Sequence, residues 1–404
     1  MSTRDPAAFS LSFKGIVLRT FLTFLVLSPI IAYGLSSYIA YLNDSGVFKP
    51  WVSFYGDPAH EVYISWQTET AEAATVYYGT EPESLVAGPT SEAIESAHVN
   101  LTGLNANKRY FYEVRVSGEV IGTGEFRTAP EGYAPFKFVM FSDTQQPKIA
   151  AGHHYRLARN IQAENYTFCA IAGDLVDDGS DYRHYNNFFQ TASTYTDTIP
   201  LAPCIGNHDT KGEMHLWTKY FKNAVNKLPS TEFENGQFYY SFNWSSVHFS
   251  VCHFTYGHSY DFTDAQMDWI EQDLQNSKDM PFRVVMFHCP IAGAGFFGRN
   301  YNLETQLLPI LKTYNVTAVI NGHEHHFERG FFEDPGHEMG GVSYFILGGG
   351  GGAFDPGLSA QPETKIMTPT PCYTEVSADS TSIKFTTRTV EGKMIDTYML
   401  EGAS

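Results

Sequence analysis

The chain has 404 residues, of which 43% are apolar and 17% charged, enough material for two or three domains and too apolar for wholesale disorder. Lys and Arg total 26 against 44 Asp and Glu, a formal net charge of -18 that repels phosphate backbones and argues against a nucleic-acid partner. The five cysteines (Cys169, Cys204, Cys252, Cys289, Cys372) show no Cys-x-x-Cys spacing, which excludes a zinc ribbon or thioredoxin-like motif; most adjoin apolar runs and read as buried free thiols.

Residues 1–15 read as a cytoplasmic tail and 16–43 as a transmembrane anchor. No charge interrupts Thr20 to Asn43, a stretch longer than the about 20 residues a spanning helix needs. Arg4, Lys14 and Arg19 precede it and Asp44 follows, so the positive-inside bias leaves the rest of the chain outside the cytoplasm. Cleavage after Ala32-Tyr33-Gly34 would instead give a secreted chain, but that site is weak and the apolar run continues to Leu42. Asn-x-Ser/Thr sequons at Asn100, Asn165, Asn243 and Asn315 are compatible with an exported glycoprotein.

Residues 51–129 alternate with period two, as in Val62, Ile64 and Trp66 and again in Tyr110, Tyr112, Val114 and Val116. Turn clusters interrupt these runs at sandwich-like spacing. The segment Leu101-Thr-Gly-Leu104 followed by Tyr110 resembles the fibronectin type III pattern, in which a tyrosine corner pins a strand crossing. With no titratable cluster, this sandwich reads as a structural module.

After the hinge at 129–135, short apolar runs alternate with helical segments over residues 135–400, the signature of a layered α/β domain. Strands are expected at Phe136–Phe141, Phe168–Ala172, Leu201–Ile205, Val247–Phe254, Arg283–Phe287 and Val316–Ile320, with a helix after the N-cap Thr263 and further strands from Tyr373 to Leu400. Five of these runs close on a metal-binding residue type: Asp143; Asp174; Asn207 with His208; His288; and His323 with His325. In open α/β folds the carboxyl ends of strands form the site, so all five would meet there. Carboxylate, amide and imidazole without thiolate suit Fe, Mn or Zn.

This ordered set (Asp, Gly-Asp, Gly-Asn-His, His, Gly-His-x-His) resembles the calcineurin-like metallophosphoesterases. With the preceding sandwich it looks most like the purple acid phosphatase branch. The resemblance implies a β-sandwich flanked by helices and a dinuclear metal centre. Asp143, Asp174 and His325 would hold one ion; Asp174, Asn207, His288 and His323 would hold the other. A metal-bridging hydroxide would attack a small phosphorylated substrate, and His208 would contact the phosphate or the leaving oxygen. The same site could serve phosphodiesters or nucleotides, and a dead phosphatase domain would leave an adhesion or binding ectodomain.

Two positions depart from the family pattern. The purple enzymes have a ligand tyrosine where this chain has Asp177, and relatives outside that branch often have a histidine where it has Gln145. The first ion therefore lacks an obvious fourth protein ligand, unless the Gln145 carbonyl or water serves. Gly173-Asp-Leu-Val-Asp177 also resembles the Ser/Thr protein phosphatases, where the second Asp supports the histidine of Gly-Asn-His; Asp177 is expected in that role beside His208. Arg299 is either a phosphate grip or a solvated arginine. His153 and His154 read as a solvated helix start, Cys289 as core, and Gly348–Gly352 as tight packing near the site.

Overall fold

The computed structural model describes residues 46–145, 152–221, 238–254, 261–354, 357 and 361–402. The anchor expected at 16–43 lies outside them; among the described residues no helix is long and apolar enough to cross a membrane.

Seven strands build the first module: β1 (Phe48–Ser53), β2 (Glu61–Glu72), β3 (Ala74–Gly79), β4 (Val86–Thr90), β5 (Ile94–Thr102), β6 (Arg109–Val116) and β7 (Glu119–Arg127). Their alternation turns Ile64, Trp66, Val99, Tyr112, Val114 and Phe126 into one core between two sheets. The tyrosine corner is present: the Asn105 N–H donates to Tyr110 Oη at 2.9 Å.

The second module continues the first without a break in hydrogen bonding. Strands β8 (Phe136–Phe141), β9 (Cys169–Ile171) and β10 (Leu201–Pro203) run parallel, and β10 pairs with β1 through Leu201 and Ser53. Strands β11 (Tyr240–Trp244), β12 (Val247–Val251), β13 (Phe282–Met286), β14 (Ala318–Asn321), β15 (Phe327–Glu333), β16 (Gly341–Leu347) and β17 (Thr364–Thr368) form a seven-stranded sheet. The last three, β18 (Cys372–Ala378), β19 (Ser382–Thr389) and β20 (Met394–Glu401), return to the first sheet, in the order β20-β19-β18-β8-β9-β10-β1-β2-β5.

Each parallel strand is apolar on both faces, as burial on both sides demands. Phe138 and Met140 of β8 point between the sheets with Phe168, Phe249, Val284, Ile320 and Phe345. Val139 and Phe141 point the other way, onto α1 (His153–Gln162), α2 (Tyr182–Ala192) and α3 (His215–Tyr220). On the far side, Val285, Phe287 and Val319 pack on α4 (Asp264–Asn276) and α5 (Tyr301–Thr313). Each of these buried aromatic or branched side chains contributes roughly 1.5–3 kcal/mol by leaving water.

Thr263 caps α4 as its position implies, its side chain accepting from the Gln266 N–H. All five cysteines are buried and unpaired. His154 departs from expectation: it is buried against Phe188 with ring centroids 5.4 Å apart, and burial pulls it down to about 3. The left-handed Gly152 starts α1 so that His154 shares the inward face with Leu157, Ala158 and Ile161.

Candidate metal centre

The parallel strands β8, β9, β10, β13 and β14 deliver Asp143, Asp174, Asn207, His288, His323 and His325 just past their carboxyl ends. Asp143, Asp174 and His323 have φ of 59°, 51° and 71°, left-handed values that cost about 1–3 kcal/mol each for residues with a Cβ. The turn reverses the backbone at the strand end and aims the next groups inward. The His323 N–H thereby donates to both Asp143 oxygens, at 3.1 and 3.0 Å, tying β14 to β8.

The glycines before these residues answer to space. A Cβ on Gly206 would lie 2.0 Å from Asp174 Oδ1, and one on Gly322 would lie 2.4 Å from Asp143 Oδ2. The Gly348–Gly352 run serves the same end, since a Cβ on Gly352 would lie 2.5 Å from the His325 ring and one on Gly350 2.2 Å from the Ser142 carbonyl.

Asp174, His288 and His323 are buried, with ligand atoms within 4.8 Å of one another. His288 Nδ1–H donates to the Ala172 carbonyl at 2.8 Å, which fixes the tautomer and turns Nε2 to Asp174 Oδ2 at 3.1 Å. His325 Nδ1–H donates to the Ala353 carbonyl at 2.7 Å and leaves Nε2 3.4 Å from Asp143 Oδ1. Asn207 Oδ1 meets His323 Nδ1 at 2.8 Å. Burial opposes a charge on His288, but Asp174 and Asp143 outweigh it and lift the imidazole to about 9. On His323 the same burial prevails, taking it down to about 3 with His288 adding to the fall. Two buried carboxylates thus depend on a cation, a role that a proton on His288 fills in part. The donor set and its burial fit divalent or trivalent metal.

Gln145 is buried, with its amide between Asp174 Oδ2 at 3.3 Å and His325 Nε2 at 3.2 Å, while Oε1 has no hydrogen-bond partner among the described residues. Rotating the amide exchanges its two ends and turns the oxygen toward the groups that would hold the first ion.

His208 lies at the rim. Its N–H donates to Asp174 Oδ1 at 2.8 Å and Nδ1–H donates to the backbone carbonyl of Asp177 at 2.6 Å. The expected carboxylate partner is not the one the ring uses, for the Asp177 side chain is 44% exposed with Oδ1 at 3.5 Å. The carbonyl still fixes the tautomer and leaves Nε2 turned inward, 4.0 Å from Asp174 Oδ2. Lys211 Nζ donates to the same carbonyl at 2.8 Å.

Arg299 corrects the sequence reading outright. Its guanidinium is held by Glu304 and Glu363, both at 2.5 Å, and is only 13% exposed, so it locks a hairpin instead of offering itself to phosphate. Sequence reasoning also passed over Asp209. This buried carboxylate accepts from the Leu175, Val176 and Gly206 N–H groups and binds the Asp174 turn to the Asn207 turn. Its place directly after Gly-Asn-His was the available signal.

Comparison with known proteins agrees with this geometry. Residues 136–327 match the calcineurin-like phosphoesterase family and residues 49–128 the purple acid phosphatase N-terminal domain. An uncharacterized protein of Mycobacterium tuberculosis is 25% identical over 325 residues, 69% of this chain and 61% of that protein, so the match spans less than two thirds of its length. Mouse tartrate-resistant acid phosphatase type 5 is 27% identical over 230 residues, 51% of this chain and 67% of that protein. A purple acid phosphatase from yellow lupin (Lupinus luteus) seeds shares the fold with a TM-score of 0.73 at 17% identity, covering 88% of this chain and 74% of its own. PhoD does so with 0.72 at 14%, covering 89% and 91%. With both modules matched in order and the ligand types gathered at the strand ends, the chain belongs to the calcineurin-like metallophosphoesterases, as a relative of acid phosphatases that carries the purple acid phosphatase N-terminal domain.

Proposed function

We propose that the protein is a dinuclear-metal phosphoesterase that hydrolyses small phosphomonoesters outside the cytoplasm, tethered by residues 16–43 or released if that segment is cleaved. The observation that carries the reading is the buried meeting of Asp174, His288 and His323, with Asp143, His325 and Asn207 hydrogen-bonded or paired around them.

Asp143, Asp174 and His325, with Gln145 as a fourth partner, would hold one ion; Asp174, Asn207, His288 and His323 would hold the other. When bound, such a pair supplies a hydroxide nucleophile at working pH and offsets charge on the phosphoryl oxygens. The chain's own groups do the rest. The Ala172 and Ala353 carbonyls orient His288 and His325. Asp209 keeps the Asp174 and Asn207 turns in register. His208, held through Nδ1–H by the Asp177 carbonyl, presents Nε2 to the leaving oxygen and, as the doubly protonated imidazolium, gives up its Nε2 proton to a poor alkoxide leaving group, ending as the neutral Nδ1–H tautomer.

Phosphodiesters are a second reading on the same site, favoured by the neutralised Arg299: a diester carries one negative charge and needs less positive charge to meet it. Release of p-nitrophenol from its phosphate mono- and diester, with and without EDTA, tests both. Chelator-sensitive turnover of the monoester is expected, faster than that of the diester. Turnover of neither by metal-loaded protein would point to a binding ectodomain instead.

A further inference from the structure

Between β13 and α5 the chain makes the hairpin Ala292–Arg299, closed by the Ala292–Arg299 bridge and by the Gly293 N–H donating to the Gly298 carbonyl at 2.9 Å. At its tip two large apolar rings face solvent: Phe296 is 72% exposed and Phe297 50%. They stand edge to face with centroids 5.5 Å apart, and the Phe297 ring lies 4.0 Å from that of His323. An aromatic corner thus abuts an imidazole of the metal centre.

The hairpin is held rigidly. Glu324 accepts from the N–H groups of Gly295, Phe297 and Gly298 at 2.8, 3.0 and 3.1 Å, and Glu328 from that of Ala294 at 2.7 Å. Gly293 and Gly295 allow this approach, since a Cβ on either would lie 2.3 or 2.6 Å from Glu324 Oε2. Arg299 pins the other end through Glu304 and Glu363. Phe296 and the outer half of Phe297 lie in water, where apolar surface gains nothing for the fold, yet two buried carboxylates and an arginine fix the loop that carries them. A platform ordered in advance loses little entropy when a flat group settles on it.

We propose that Phe296 and Phe297 are specificity residues that stack a flat aromatic group on the alcohol side of the phosphoester, so that esters of nucleoside type are preferred to bare sugar phosphates. This rests on the phosphoesterase reading above. The rings do no chemistry; they place the ester beside His323, one of the residues that would hold the metal.

The test compares adenosine 5′-monophosphate with ribose 5-phosphate, whose leaving alcohols are alike and which differ by the base. Metal-loaded wild type should favour the nucleotide at least tenfold in kcat/KM, within what one stacked base contributes. Phe296→Ala with Phe297→Ala should remove that preference by lowering the nucleotide value about tenfold and the sugar value less than threefold. Phe297→Trp should keep it. Equal rates on the two esters in wild type, or parallel losses in the double variant, would overturn the platform and leave the hydrolase reading standing. If neither ester releases phosphate, the hydrolase reading falls, and calorimetric titration with adenosine decides the platform alone. Binding that the double variant weakens upholds it, and absent or equal binding overturns it.

Discussion

Two buried clusters of carboxylate and imidazole lie side by side in this fold, and they are opposites in use. Asp174, His288 and His323 bring ligand atoms within 4.8 Å, and so do Glu324, His326 and Glu328. In the second cluster the oxygens are already occupied: Glu324 takes three backbone N–H groups, and Glu328 takes the Ala294 N–H, the Tyr344 and Thr364 hydroxyls and His326 Nε2. In the first, Asp174 takes one backbone N–H, that of His208, on Oδ1, while Oδ2 faces side-chain nitrogens of His288 and Gln145; the Ala172 carbonyl holds the far side of the His288 ring and Asn207 Oδ1 that of His323. The same residue types make a candidate metal centre in one place and a loop clamp in the other. What separates them is whether backbone donors have used up the lone pairs.

The largest expected effect breaks the first cluster only. Asp174→Asn removes the charge that both ions would share, and turnover of p-nitrophenyl phosphate should fall by at least about a thousandfold. Retention of more than a tenth of wild-type turnover would remove Asp174 from the bridging position. The second cluster should break differently. Glu328→Ala strands the Ala294 N–H and two hydroxyls in the interior and should lower stability by about 3 kcal/mol or more, read by urea unfolding, with metal content unchanged. Loss of metal from that variant would make the clamp a ligand set after all.

His208 sharpens the comparison at the rim. His208→Ala should cost about a hundredfold in kcat on alkyl phosphates and under tenfold on p-nitrophenyl phosphate, whose leaving group needs little protonation. Asp177→Asn should change either value less than threefold, because the group that holds His208 is the Asp177 carbonyl, which the substitution keeps. A matching leaving-group dependence in Asp177→Asn would restore the carboxylate to the dyad.

The pattern of legible and illegible features follows the same physics. Polar residues that close an apolar strand are readable, because the run fixes the strand and the strand fixes where its last residue points; the buried placement of Asp143, Asp174 and His288 past the strand ends is legible in this way. The tyrosine corner and the Thr263 cap are local and were equally readable. Features that depend on partners distant in sequence were not. Arg299 reads as a free cation until Glu363 arrives from β17's edge, and Asp177 reads as a carboxylate partner until the turn shows that its carbonyl is nearer. Glu324 and Glu328 carried no signal, since a clamp is defined by N–H groups every sequence possesses. The pairing of β1 with β10, joining two modules into one sheet, lies likewise beyond periodicity.

A smaller effect concerns pH in metal-stripped protein. His288 is lifted to about 9 from 6.5, so its pairing with Asp174 stabilises the metal-free fold fully below about pH 6.5 and is lost as pH rises through about 9. The melting temperature of EDTA-treated protein should fall across that window, while metal-loaded protein stays level. A level profile in stripped protein would show that His288 is neutral there. Smallest of all, Arg299→Gln should leave KM for phosphate esters within twofold while lowering the melting temperature, since Glu304 and Glu363 lose their partner. A tenfold rise in KM would return Arg299 to the substrate.

The contrast between the clusters is tested most directly by counting metal. Elemental analysis of purified wild type, Asp174→Asn and Glu328→Gln after reconstitution with manganese or zinc gives the answer in one experiment. The expected result is two ions per chain in wild type and Glu328→Gln and none in Asp174→Asn. Two ions retained in Asp174→Asn, or loss of an ion in Glu328→Gln, would contradict the assignment of the metals to the Asp174 cluster.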